Sequence, residues 1–137
     1  MNDDEKIDSD PFIPKPGQGL AVTAESLYLI NLLLAPGLAF LALVGVYLAT
    51  IKGAPPLAAC HLRQVLAASL WAGVVLIAVN LTIIALGGYQ AAYTWVIVVL
   101  YFTICHSTLV LLGVLGLAKA MAGQNFRYPL IGRPCHP

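Results

Sequence analysis

Three uninterrupted stretches of this 137-residue chain, residues 26–50, 64–87 and 91–118, contain no Asp, Glu, Lys or Arg. A bilayer hydrocarbon core about 30 Å thick is crossed by roughly 20 apolar helical residues, and each stretch exceeds that length. Only 9% of the chain is charged, against about 25% in soluble domains. The pattern predicts an all-α integral membrane protein, a three-helix bundle with spans at about 26–50, 64–87 and 91–118. Residues 1–22 are expected to form an extended or disordered acidic arm, 23–132 the membrane domain and 133–137 a short cytoplasmic tail. What remains outside the spans is too short to bury a second core.

Charge is distributed unevenly. All six acids, Asp3, Asp4, Glu5, Asp8, Asp10 and Glu25, precede the first stretch, accompanied only by Lys6 and Lys15. Lys52 and Arg63 flank the first loop, and Lys119, Arg127 and Arg133 follow the third stretch. Basic residues in short loops are retained on the cytoplasmic side. For three spans this predicts a multi-pass bacterial inner-membrane protein with its N-terminus outside and its C-terminus inside. No basic n-region with an adjoining apolar segment marks a cleaved signal. Cys60 and Cys135 then face a reducing compartment, and with Cys105 inside a span the three cysteines are expected to be free thiols.

Local signals refine the elements. Thr23 or Ser26 can cap the first helix, with Glu25 at the favourable end of its dipole. Pro36-Gly37 should kink or unwind it, and Asn31 can satisfy a freed carbonyl. Gly53-Ala54-Pro55-Pro56 forms the first turn. Gly87-Gly88 ends the second helix, and the short link to the third predicts an antiparallel hairpin with those two helices side by side. Tyr89, Tyr93 and Trp95 mark a membrane interface. Gly123 suits a left-handed cap and Pro129 blocks further helix. Ala68, Ala72, Gly113 and Gly116 are candidate sites of close helix packing.

Each cysteine precedes a histidine: Cys60-His61, Cys105-His106 and Cys135-His136. Thiolate and imidazole suit zinc or copper, making Cys60, His61, His106, Cys135 and His136 candidate ligands. Adjacent helical residues diverge by about 100°, so a pair can share an ion only on irregular backbone. Counted from the turn near residue 90, His61 lies about 43 Å along its helix and His106 about 24 Å along its own, too unequal for one haem between them. Asn31, Asn80 and His106 are the notable intramembrane polar residues. Thr103, Ser107 and Thr108 are close enough in sequence to share hydrogen bonds with His106. The spans lack the acidic relays of pumps, no catalytic fingerprint is present, and no basic stripe indicates nucleic acid.

Two segments, His61-x-x-Gln64 and Ala120-x-x-Gly123-Gln124-x-Phe126-Arg127-Tyr128-Pro129-Leu130-Ile131-Gly132, together resemble small bacterial membrane domains related to the Tic-type translocon component of chloroplast envelopes. The resemblance covers roughly residues 27–132. It implies a compact helical membrane protein without established enzyme chemistry, and it singles out His61, Gln64, Gly123, Phe126, Arg127, Tyr128 and Pro129. The chain departs from that pattern in its acidic arm, its Pro55-Pro56 loop and its Arg133-Pro134-Cys135-His136-Pro137 end. The expected function is that of an accessory, assembly or scaffolding subunit packing against a membrane-protein partner or a second copy, within the lipid bilayer and without a cofactor. The alternatives are a metal- or haem-handling protein using the Cys-His pairs, and a small translocon- or channel-like component.

Overall fold

A computed structural model of the chain describes residues 13–129, 131, 132, 134 and 135. The expectation for residues 1–12 of the arm, and that for His136, lie outside the described residues. Among the described residues four helices form: α1 Gln18–Leu33, α2 Leu38–Thr50, α3 Pro56–Ala85 and α4 Thr94–Met121. Within α4, Tyr101–His106 winds as a π-helix. No strand occurs among the described residues.

Two helices, α3 with 30 residues and α4 with 28, are long and apolar enough to cross a membrane. Only 22% of the most apolar window of α3 and 6% of that of α4 are buried within the protein. Core helices of a water-soluble fold would be largely covered. Large apolar side chains such as Ile77, Leu81, Ile84, Trp95 and Val99 instead stand more than half exposed along both.

The first apolar stretch departs from the expected single, kinked span. Pro36 cannot donate to the Leu32 carbonyl, and the chain breaks between α1 and α2. It then turns back. A Cβ placed on Gly17, just before α1, would come within 2.9 Å of Ala58 Cβ and 3.0 Å of Pro55 Cβ, just beyond the end of α2. The start of α1, the turn after α2, the start of α3 and the end of α4 therefore gather at one end; there Gln18 Nε2 also donates to the Met121 carbonyl at 2.6 Å. α1 and α2 form a helical hairpin whose tip, at Pro36-Gly37, lines one cavity with the central turns of α3. Asn31 serves this tip in an unexpected sense: its Oδ1 accepts from the Gly37 amide at 3.0 Å, taking up a freed donor rather than a freed carbonyl.

The N-terminal boundary is also corrected. α1 begins at Gln18 after Gly17, which adopts φ +82°, not at Thr23 or Ser26. The Thr23 hydroxyl bonds back to the Gly19 carbonyl inside the helix, and Glu25 occupies mid-helix. The other ends follow their chemistry. Pro56 opens α3 at a position where no amide is needed. Gly88 donates to Ile83 and Gly87 to Ile84 at the end of α3; Gln124 donates to Lys119 and Gly123 to Ala120 at the end of α4, the paired bonds of a Schellman cap with a positive-φ glycine.

α3 and α4 are antiparallel, but they are not chiefly packed on each other. α1 wedges between their inner halves, contacting each more extensively than they contact one another. The face it presents is Ala21, Ala24, Glu25 and Tyr28, all buried. α4 answers with Gly113 and Gly116, and α3 with Ala68, which packs in one core cluster with Ala24 and Tyr28. A Cβ on Gly113 would lie 2.7 Å from Tyr28 Cε1, and one on Gly116 2.5 Å from Glu25 Oε2. Gly113→Ala and Gly116→Ala should each destabilise by about 1–3 kcal/mol, as overpacking does. Gly45→Ala, where nothing lies within 4 Å, should leave the Tm unchanged or raise it, as read by thermal unfolding in detergent.

Candidate functional site

At the gathered end, α1 supplies Glu25, α3 supplies His61 and the segment after α4 supplies Tyr128; all three are completely buried. Tyr128 reaches them because the Gly123 cap turns the chain back beneath the bundle, where its ring packs edge-on against Tyr28 at 5.8 Å and Phe126 at 5.2 Å. His61 Nδ1 lies 2.6 Å from Glu25 Oε1. His61 Nε2 lies 3.0 Å from the Gln124 carbonyl, and the Tyr128 hydroxyl donates to Glu25 Oε2 at 2.8 Å.

These contacts fix the protons. A carbonyl only accepts, so His61 Nε2 carries a hydrogen. Glu25 Oε2 accepts the hydrogen bond of the Tyr128 phenol, which keeps its proton, and one further proton sits between Oε1 and Nδ1. Whether that proton rests on nitrogen or oxygen, the pair is neutral overall and every lone pair or N–H facing the partner is matched. Burial, reinforced by the neighbouring Glu25 charge, holds the Tyr128 phenol above its ordinary range, so it remains a donor.

The tail continues past this cluster. Arg127 Nε donates to the Gly132 carbonyl at 3.2 Å, and Gly132 passes so close to Tyr128 and Gln64 that a Cβ there would lie 2.7 Å from Gln64 Oε1. Gln64 Nε2 donates to Cys135 Sγ at 3.4 Å. Cys135 is joined to Cys60 by a disulfide, with Cα atoms 5.3 Å apart. The free-thiol expectation fails for this pair because the returning tail places residue 135 over the start of α3. Cys105 remains a free thiol.

His61, Gln64, Gly123, Phe126, Arg127, Tyr128 and Pro129 thus belong to one end of the molecule. Gly123 and Pro129 shape the tail, Phe126 packs on Tyr128, and His61 and Tyr128 meet through Glu25. The proposed metal ligands do not assemble: Cys60 and Cys135 bond each other, His61 is taken by Glu25 and Gln124, and His106 lies on the central part of α4. No group of three or more His, Cys, Asp or Glu able to hold a metal occurs among the described residues.

Asn80 is near the opposite end, donating to the Leu76 carbonyl and accepting from the Tyr89 hydroxyl. The neighbours expected to serve His106 serve their own helix: Ser107 bonds Phe102 and Thr108 bonds Ile104. His106 instead packs its ring on Phe102. Sequence reasoning missed Glu25 and Tyr28 as interior residues. Their signal was the small-residue face Ala21, Ala24, Glu25, Tyr28, spaced at three, one and three residues.

Comparison with protein families, curated proteins and solved structures finds no match.

Glu25→Leu should cost about 3–5 kcal/mol, because it strands a buried imidazole and phenol. Tyr128→Phe should cost about 1–3 kcal/mol. Glu25→Gln should be the mildest, since its amide can donate to His61 Nδ1 while its oxygen accepts from Tyr128; thermal melts of the three variants give the order. Peptide mapping of unreduced, alkylated protein should show residues 60 and 135 linked and Cys105 carrying the alkyl group.

Proposed function

We propose that this chain is a multi-pass bacterial inner-membrane protein acting by helix packing, as an accessory, assembly or scaffolding subunit of a membrane complex. The observation that carries the reading is the closed state of its polar centre. Glu25, His61 and Tyr128 have no exposed surface and are saturated by one another and by Gln124. Such a centre joins α1, α3 and the tail, and offers no reacting group to a substrate. The surfaces left for contact are the apolar flanks of α3 and α4.

Only α3 and α4 cross the bilayer in this reading, and the α1–α2 hairpin enters and leaves on one side. Backbone breaks such as Pro36-Gly37 are tolerated at membrane depth where protein or a cavity covers them. The hairpin replaces the outward N-terminus expected from three spans. Lys15, Lys52, Arg63, Lys119 and Arg127, the Lys and Arg among the described residues, then fall at the gathered end, and the opposite loop, residues 86–93, has none. That asymmetry favours the gathered end inside. The disulfide would then be on the cytoplasmic side, with Cys60 buried and Cys135 partly covered.

The resemblance to Tic-related domains fits this arrangement, since its two sequence halves touch each other through His61, Gln64 and the tail. Its implied role is likewise that of a component, not an enzyme.

In intact cells, a membrane-impermeant maleimide should label a cysteine introduced at position 90 and reach positions 16 and 52 only after permeabilisation; labelling of 16 from outside would overturn the hairpin topology. Blue-native electrophoresis of gently solubilised membranes should show the protein in an assembly larger than its monomer. Migration as a lone monomer would oppose the subunit reading.

A further inference from the structure

Above the hairpin tip, between the central turns of α3 and α4, lies a cavity of about 550 Å³. Two backbone irregularities face each other across it. One is the Pro36-Gly37 break. The other is the π-helical turn, which supplies all of α4's lining residues: Tyr101, Phe102 and His106. π turns inside helices recur at functional sites, and irregular backbone at membrane depth is found where it lines a cavity.

The polar groups at the cavity have unused capacity. Ser69 is 95% buried, and its hydroxyl has no hydrogen-bond partner among the described residues. In a lipid-immersed interior this is costly, because no bulk water can compensate it. Asn31 uses its oxygen for Gly37, leaving its amide N–H groups to offer. Tyr101 adds a phenol and His106 an imidazole. No Asp, Glu, Lys or Arg among the described residues lines the space.

We propose that this cavity binds an uncharged, ring-headed isoprenoid lipid of the quinone class. With no Asp, Glu, Lys or Arg among the described lining residues, the cavity favours an uncharged headgroup over an ionic one. The hydroxyl and amide donors call for an acceptor-rich head, and quinone carbonyls supply it. Phe102, in ring contact with His106, adds an aromatic side chain to the lining. The volume falls in the usual range of small-molecule sites, about 300–1,000 Å³. Val74, Ile77 and Phe102 line the cavity yet remain more than half exposed, so it opens sideways and an isoprenoid tail can extend into lipid.

The test titrates a decyl-tailed benzoquinone into the full chain in lipid nanodiscs and follows quenching of Trp71 fluorescence, with Trp95 replaced by Phe. Saturable quenching at one quinone per protein is expected. Ser69→Ala should weaken binding about tenfold, the loss of one hydrogen bond. Gly73→Leu should abolish saturation while the protein keeps its thermal stability, because Gly73 lines the cavity and a Cβ there meets nothing within 4 Å. Quenching that rises linearly with quinone-to-lipid ratio and is the same in Gly73→Leu would overturn the proposal. Equal affinity for decylbenzene, which lacks both carbonyls, or a co-purified phospholipid that the quinone does not displace, would overturn it too.

Discussion

A carboxylate placed among helices in a membrane protein dictates much of what surrounds it. Glu25 requires a partner for each oxygen, and the two partners come from places far apart in the chain, His61 36 residues on and Tyr128 103 residues on. To bring His61 in, α1 must lie alongside the start of α3. To bring Tyr128 in, the chain after α4 must double back, which the Gly123 cap permits. To bring α4 close enough, Gly116 must lack a side chain, because the space a Cβ would need is occupied by Glu25 itself. Glycine packing, the Schellman cap and the reversal of the tail are conditions of one neutral, fully bonded cluster.

The sequence made the apolar stretches, the Pro36-Gly37 break, the Pro55-Pro56 turn and the glycine ends of α3 and α4 legible, because each depends on the residue's own backbone chemistry or on length alone. It also directed attention to His61, Gln64 and Tyr128 at a common face. The hairpin was not legible. Residues 26–50 are long enough to cross lipid, and whether Pro36-Gly37 bends a rod or reverses it depends on what α1 packs against. Glu25 was assigned to a helix start for a related reason: an acid near the edge of an apolar run suits the dipole, and the His61 that binds it belongs to another helix. The disulfide was hidden because spacing between Cys60 and Cys135 carries no information about a tail that folds back. The π turn has no residue signature comparable to proline.

The molecule divides into two levels of different character. At the gathered end, Glu25, His61 and Tyr128 bond one another, aromatic rings of Tyr28, Phe126 and Tyr128 fill the gaps, and a disulfide closes the tail over the start of α3. Halfway along, where the hairpin stops, α3 and α4 continue without a third helix between them, and polar side chains face a space. The first level fixes the positions of the helices, and the second is what that fixed spacing leaves open.

The wide turn at Tyr101–His106 has a consequence for the winding of α4. A π turn takes up one residue more than an α turn, and one residue corresponds to about 100° of rotation. Everything after His106 is therefore out of phase with the half that begins at Thr94. Wound regularly through the same stretch, α4 would turn Leu112, Leu115 and Lys119 toward α1 in place of Gly113, Gly116 and Ala120, setting bulk and a cation against the Glu25 face. The added residue lets one helix serve two orientations: its outer half is set toward lipid, and its inner half presents glycine to the carboxylate.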